Sequence, residues 1–383
     1  MALGLPSVNI VFKQEGTTAI QRGDRGIVAL VLRDTKALGK HTVYDISDCP
    51  SELSEDNKRY ILDALKGNTN APLKIELFVL NAEEEISKAL NHFEDTQFDY
   101  ICSPVFTSEE NEEVVEALNY FENTKFDYIC SPYFTSKENT EVATWVKALR
   151  DNEGVMVKAV LANEKADHEG IINFTTDNIV TKNKTYSTVE FTPRIAGLIA
   201  GTSLMIATTY ASLSDVLEVP YISKQDATEK VGQGELIIFK QSGQYRIARG
   251  VNSLVTTSDV KGEAFQKIKL VDIMDLMTND IRQTCHRSYI GKYANSYDNK
   301  CILMTAIEGY LDQLVLDGLI ERNTIKVEID MEAQKAYLKS IGIDISEMRE
   351  QEIKEYNTRD KVFIAIKCKI LDAIEEINLR VFI

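Results

Sequence analysis

The sequence predicts two fold classes in one chain, an α/β domain followed by an α+β domain, with extended strand-forming arms at both termini. Three observations carry this expectation. In the first half, continuous apolar runs alternate with capped helical patterns, the order that builds a sheet with crossover helices. In the second half, strand patterns come in pairs beside long amphipathic helices. At both ends, short stretches alternate apolar and polar residues outside any plausible core.

Along the chain, Leu3, Leu5, Val8, Ile10 and Phe12 form the first arm, residues 1–20. An α/β domain is expected over 21–190. Its first strand is the apolar run 26–34, which reads as buried on both faces. A helix follows at 54–66 with Ser54 as N-cap, Ile61, Leu62 and Leu65 on one face, and Gly67 as the stop. Leu73 to Leu80 is the next strand. Residues 89–116 then repeat as 117–144, with 20 of 28 paired positions identical and the segment Phe-Asp-Tyr-Ile-Cys-Ser-Pro at 98–104 and 126–132. Each copy ends a strand at Ser-Pro and starts a helix with a capping box, Thr107 with Glu110 and Thr135 with Glu138. Two copies are too few for a stacked array, so the repeat reads as one duplicated βα unit that widens the sheet. The copies differ in charge: 83–116 holds eleven acidic residues against one lysine, and 117–150 four against four, as suits a solvated face. Val155 to Ala162 is the last strand before the domain closes near 190.

The α+β domain, expected over 191–360, opens with a small-residue helix from Ile195 to Ala207 carrying Gly197 and Gly201. It is too short to span a bilayer and reads as a closely packed core helix. A hairpin joins Glu235–Lys240 to Tyr245–Arg249 through Ser242-Gly243. Of two long helices, one carries Ile273, Met277, Ile281, Cys285 and Tyr289 and stops at Gly291. The other carries Leu303, Ile307, Tyr310, Leu311 and Leu314 and stops at Gly318. Thr324 to Asp330 is a strand, 331–341 a short helix, and Val362 to Leu371 a strand leading into the last arm, 361–383. There Ile377, Leu379, Val381 and Ile383 alternate with polar residues up to the final position. An apolar end needs a cover, and two readings stand open: the arms close the chain's own sheets, or they pair with another chain.

The net charge of -16 argues against nucleic acid and anionic membranes as partners. A start without a charged, long apolar leader predicts synthesis in the cytoplasm. The six cysteines have no CxxC spacing and read as reduced, buried residues. No metal or cofactor is expected: His41, His92, His168 and His286 lack ligand spacing, and His168-Glu169-Gly170 does not start a zinc-protease helix. Gly232-Gln233-Gly234 lacks a phosphate loop's strand-to-helix setting and reads as a turn. Ser103 and Ser131 fall at strand C-termini, where α/β enzymes place ligands, but Ser-Pro before a capped helix is a plain strand terminator. Cys285 and His286, adjacent on a helix, point about 100° apart, too far for a thiolate-imidazole pair.

From residue 246 the sequence resembles a known family. Arg246-Ile247-Ala248-Arg249-Gly250-Val251-Asn252-Ser253-Leu254, then Lys267-Ile268-Lys269-Leu270-Val271-Asp272 opening a helix that ends Tyr289-Ile290-Gly291-Lys292, are similar to the C-terminal domain of contractile tail sheath proteins. The small-residue helix Ala196-Gly197-Leu198-Ile199-Ala200-Gly201, the start Leu5-Pro6-Ser7-Val8 and the tail from Lys361 add to the likeness. It is nearest to sheaths of Gram-positive prophages and of clostridial R-type bacteriocins, strong from about 190 onward and loose before.

The resemblance implies a sheath-type α+β domain in a non-enzymatic polymer without cofactors. Six-subunit rings stack helically around an inner tube protein, ending on baseplate and tail terminator proteins. The subunit is made in the bacterial host and works in a released tail or tail-like particle. Arms donate strands to neighbours, assigned here to Val8, Ile10, Phe12, Ile377, Leu379, Val381 and Ile383, and contraction drives the tube through a cell envelope. Arg282, Arg287 and Lys292 are the candidate tube-facing residues. The duplicated βα unit departs from the single copy expected in such a family. The competing expectations are an α/β enzyme or ligand-binding protein using the strand ends at Ser103 and Ser131, and a static filament or shell protein.

Overall fold

A computed structural model describes residues 19–81 and 126–382. In chain order its strands are β1 (Ile27–Asp34), β2 (Gly39–Val43), β3 (Lys74–Asn81), β4 (Tyr128–Cys130), β5 (Lys158–Ala162), β6 (Ile171–Phe174), β7 (Ile179–Thr181), β8 (Thr185–Tyr186), β9 (Val216–Glu218), β10 (Glu235–Leu236), β11 (Ile238–Gln241), β12 (Gln244–Ile247), β13 (Lys326–Ile329) and β14 (Ile364–Lys367). The helices are α1 (Glu55–Leu65), α2 (Ser136–Ala148), α3 (Thr192–Ala200), α4 (Lys224–Gly232), α5 (Ile268–Thr284), α6 (Tyr297–Leu316), α7 (Met331–Ser340) and α8 (Glu350–Glu355). The described residues form two compact units: 23–81 and 126–279 with 370–382, and Asp280–Lys369 with 19–22.

The larger unit is built on a sheet of order β10-β6-β5-β4-β1-β3-β2, parallel except for the antiparallel edge strand β2. Strand β1 explains its own composition. Val28, Leu30 and Leu32 enter one core layer with Ile61 and Ala64 of α1 and Ile195 and Leu198 of α3. Ile27, Ala29 and Val31 enter the opposite layer with Trp145 and Val146 of α2. A strand buried on both faces has no polar face to alternate with, so the apolar run is continuous.

Local chemistry sets the ends of these elements. Ser54 caps α1, accepting from the Asn57 N–H, and Gly67 ends it with φ +58°. Tyr60, Ile61 and Ala64 are buried there, whereas Leu62, expected on that face, is 42% exposed. The stripe runs through 57, 60, 61 and 64, one helical turn at a time, and Leu62 lies beside it. Thr135 and Glu138 form the expected capping box at α2. They belong to the second copy of the repeat; the first copy and residues 1–18 lie outside the described residues.

The small-residue helix is shorter than expected and starts earlier, at Thr192, with Pro193 in its first turn. It ends because the Gly201 carbonyl is taken by the Asn70 N–H (3.0 Å) and the Thr69 hydroxyl (2.9 Å) and is lost to helix continuation. Its glycines allow a backbone approach: a Cβ at Gly197 would lie 1.9 Å from the Ala64 carbonyl oxygen of α1. The break expected near residue 190 falls inside this unit, because α3 packs beneath the same sheet as α1.

The strand expected at Glu235–Lys240 is two strands. β10 extends the parallel sheet beside β6, and β11 turns away to pair with β12. Ser242 and Gly243 have φ 50° and 80°, the positive pair that a two-residue hairpin loop requires.

In the smaller unit, α6 is capped by Ser296, buries Ile307, Tyr310, Leu311 and Leu314, and yields to Gly318 at φ +73°. The Tyr310 hydroxyl donates to Asp280 at 2.7 Å. β13 and β14 pair antiparallel, Ile329 opposite Ile364, and α7 begins at Asp330, whose side chain accepts from the Ala333 N–H. The strand expected over Val362–Leu371 is ladder-paired at 364–367, with a single further bridge at Ile370.

Candidate functional site

After β14 the chain rejoins the larger unit at Ile370 and runs on without helix or ladder. Leu371, Ala373 and Glu375 are half-buried, while Asp372, Ile374 and Glu376 are exposed. The two-residue period is that of a strand, but the polarity is inverted at its end: Ile374 is 87% exposed and Glu375 points inward. The Glu375 carboxylate accepts from the Thr209 hydroxyl (2.5 Å), Arg249 Nε (3.0 Å) and Lys267 Nζ (3.2 Å). Lys267 also pairs with Asp372, and Arg249 with Glu376 at 3.4 Å. Burial would raise the Glu375 carboxyl, but the Thr209 hydroxyl and the two cations hold it below its usual range.

Beyond Glu376 the arm has no cover among the described residues. Ile377 is 72% exposed, Leu379 and Val381 83%, and Phe382 90%. Residues 377–382 form no ladder with the described sheets, so among the described residues the expected strand is a segment without a partner, its apolar side chains alternating in sequence. Ile383, and Val8, Ile10 and Phe12 of the first arm, lie outside the described residues.

Two small sheets offer free edges among the described residues. β12 is flanked by 210–213, with the Ile247 N–H donating to Ala211 and the Leu213 N–H to Tyr245, so the hairpin's open edge is β11. β13–β14 is a two-stranded sheet with no further ladder on either side. Such edges are templates for a further strand.

The other sequence candidates have settled structural roles. Ser131 is buried, its hydroxyl accepting from the Tyr133 N–H (3.1 Å) and its carbonyl from the Thr192 hydroxyl (3.0 Å); Ser103 lies outside the described residues. Gly232-Gln233-Gly234 leads from α4 into β10, the reverse of a phosphate loop. Cys285 opens a π-turn that continues α5, and burial pushes its thiol up, away from a reactive thiolate. Arg287 and Lys292 are exposed and Arg282 is half-buried; the Lys292 ammonium folds back onto the Arg287 carbonyl.

His168 does have carboxylate neighbours that its sequence spacing hid. Its ligand atoms and those of Asp151 and Glu169 lie within 4.8 Å of one another. The His168 Nδ1 accepts from the Gly170 N–H at 3.0 Å, which places the ring proton on Nε2, aimed at Asp151 at 3.3 Å. Lys261 pairs with Glu169 at 3.0 Å and with Asp151 at 3.4 Å. The cluster is a closed ion-pair network, with both imidazole nitrogens engaged and a lysine where a metal would sit.

A second network was not foreseen. On the buried side of α5, Asp275 receives both Arg150 nitrogens (2.9 and 2.8 Å) and Lys158 (2.6 Å). One turn away, Asp272 receives Arg25, the Tyr128 hydroxyl and Lys158. Burial alone would raise the Asp275 carboxyl; Lys158 and Arg150 outweigh it and keep it ionised. The sequence signal was two aspartates three apart on the apolar face of a helix, which nothing exposed would require.

Comparison with known proteins gives a consistent picture. Residues 109–253 match the phage tail sheath protein central domain, and 260–383 the phage tail sheath C-terminal domain. The tail sheath protein of Clostridium phage phiCD119 is 41% identical over 383 residues, covering 99% of each chain. The structure is similar to that of a sheath tail protein from Desulfitobacterium hafniense (TM-score 0.64, 19% identity, 85% of this chain and 94% of that one). It is also similar to the helical sheath of the anti-feeding prophage in its contracted state (TM-score 0.65, 12% identity, 100% and 99%).

Proposed function

This chain belongs to the phage tail sheath family, and from that premise we propose that it polymerises by exchanging terminal strands between subunits. It is a structural tail sheath subunit. The single observation that carries the exchange reading is the arm itself: Ile377, Leu379 and Val381 stand exposed on a segment whose root is held by its own subunit.

Residues 377–383, fully extended, reach about 23 Å, enough to lie along a neighbour's strand. As acceptor, the β13–β14 sheet is the best suited, since both its edges are open among the described residues. About six ladder bonds at a net ~0.5–1.5 kcal/mol each, with four aliphatic side chains at about 1.5–3 kcal/mol each, bound the gross stabilisation. Part of that is offset by ordering the arm. The contact is head-to-tail, so it propagates into an open helical polymer instead of closing on itself. Val8, Ile10, Phe12 and Ile383 join this exchange, and the rings are six-fold, stacked around an inner tube.

Contraction follows from the same joints: subunits rotate as near-rigid bodies while donated strands keep them linked. Arg282, Arg287 and Lys292 are proposed to face the tube, with baseplate and terminator proteins at the two ends. Strand-forming arms at both ends and a duplicated βα unit on the outer surface belong to the same proposal.

Negative-stain microscopy of the purified chain tests the reading. Rings, tubes or polymers are expected; a monomer that persists at high concentration would count against it.

A further inference from the structure

The terminal segment is two devices in series, and the boundary between them is sharp. Up to Glu376 alternate side chains, Leu371, Ala373 and Glu375, are half-buried and the acids are paired; from Ile377 every side chain through Phe382 is exposed. The last inward-pointing residue is a glutamate, in a stretch where Ile374 and Ile377 would be the natural side chains to bury. A carboxylate only 8% exposed is costly to desolvate, and it is retained here with a hydroxyl and two cations, Thr209, Arg249 and Lys267, converging on it. These partners come from three separated parts of the unit: the turn after α3, the end of the β11–β12 hairpin segment and the residue before α5. A second acid on the same segment, Asp372, shares Lys267. An apolar site at this point would be a poor register mark, because a slip of one residue presents Ile374 to it and a slip of two presents Ile377. A charge-assisted site rejects both isoleucines, and a one-residue slip that offered Glu376 instead would turn Leu371 and Ala373 outward, so the site fixes register.

We propose that Glu375 is the positioning residue of the C-terminal arm, a charged root that fixes where the chain stops belonging to its own subunit and starts being available to the next. The inference rests on the strand-exchange reading and extends it: the root keeps the apolar side chains of 377–383 outward, and it takes up the tension when joined subunits move. Without it the segment from Leu371 onward slides, and Ile374 or Ile377 turns inward and shortens the usable arm.

The test uses the full chain with Glu375→Gln, which keeps the shape and removes the charge. Hydrogen exchange of amides 371–376 should rise at least tenfold with the rest of the larger unit unchanged. The critical concentration for polymerisation should rise at least tenfold, about 1.4 kcal/mol per subunit joint. Thr209→Ala removes one hydrogen bond only and should shift both readouts in the same direction by less. Unchanged exchange at 371–376, or raised exchange with an unaltered critical concentration, would overturn the root. The parent reading is separated by a chain lacking 377–383. If that chain polymerises like the full one, strand donation fails; if it does not polymerise while Glu375→Gln is indistinguishable from the unmodified chain, only the root fails.

Discussion

Replacing Gly197 by alanine inserts one methyl group where the backbones of α1 and α3 approach closely. The new Cβ would lie 1.9 Å from the Ala64 carbonyl oxygen, 2.6 Å from its carbon and 2.8 Å from its Cα. All three atoms are backbone, so no side chain can swing aside, and ordinary contact requires α1 and α3 to separate by about 1.5 Å. Both helices share the core layer on one face of the sheet, and that layer has no slack. Overpacking of this kind costs about 3 kcal/mol or more, offset by about 1 kcal/mol of helix propensity, leaving a net loss of roughly 2 kcal/mol. Gly232, the last residue of α4, is the control, because a Cβ there meets nothing within 4 Å. Gly232→Ala should stabilise by a few tenths to about 1 kcal/mol. The assay is urea unfolding followed by Trp145, the one tryptophan, buried in α2 and so a reporter of this unit alone. With an m value of roughly 4 kcal/mol/M, Gly197→Ala should lower the midpoint by about 0.5 M. A Gly197→Ala midpoint at or above that of the unmodified chain, or two variants moving together, would refute the reasoning.

Asp275→Asn leaves Arg150 and Lys158 buried with one carboxylate fewer, and should cost about 3–5 kcal/mol in the same assay; a loss below 1 kcal/mol would mean that the network is not what seats α5. Acid should weaken the larger unit in a defined window. The Asp34 carboxyl, partly desolvated but receiving the Ser54 N–H and the Asn57 amide, is held down to about 2, and Glu190, desolvated but bonded by Lys184 and Ser187, also to about 2. Both are depressed, so their contribution is complete above their unfolded values of 3.8 and 4.5 and is lost as pH falls toward about 2. The urea midpoint should therefore be level above pH 5 and decline below it, with Glu190→Gln flattening part of the decline.

Much of this architecture was legible because it depends on local chemistry. The double-faced burial of β1 followed from its unbroken apolar run, and the ends of α1 from Ser54 and Gly67. The close approach of α3 followed from Gly197, but its end did not, since what stops it is Asn70 and Thr69, distant in sequence. The split of β10 from β11 was hidden for the same reason: both halves are apolar, and only the position of β6 decides which one extends the sheet. Of the candidate site, the alternation of 377–383 was visible and the root at Glu375 was not. Nothing local connects Glu375 to Thr209, Arg249 and Lys267 until the chain folds. The cluster around His168 escaped for the same reason, because Asp151 and Lys261 lie far from it in sequence.

The most direct measurement of strand exchange compares the full chain with one ending at Glu376, by electron microscopy and sedimentation at equal concentration. The shortened chain should keep its urea midpoint, since the side chains removed at Ile377, Leu379 and Val381 are exposed, and should remain monomeric where the full chain forms polymers. Polymers of the shortened chain, appearing at the same concentration as those of the full chain, would contradict the account.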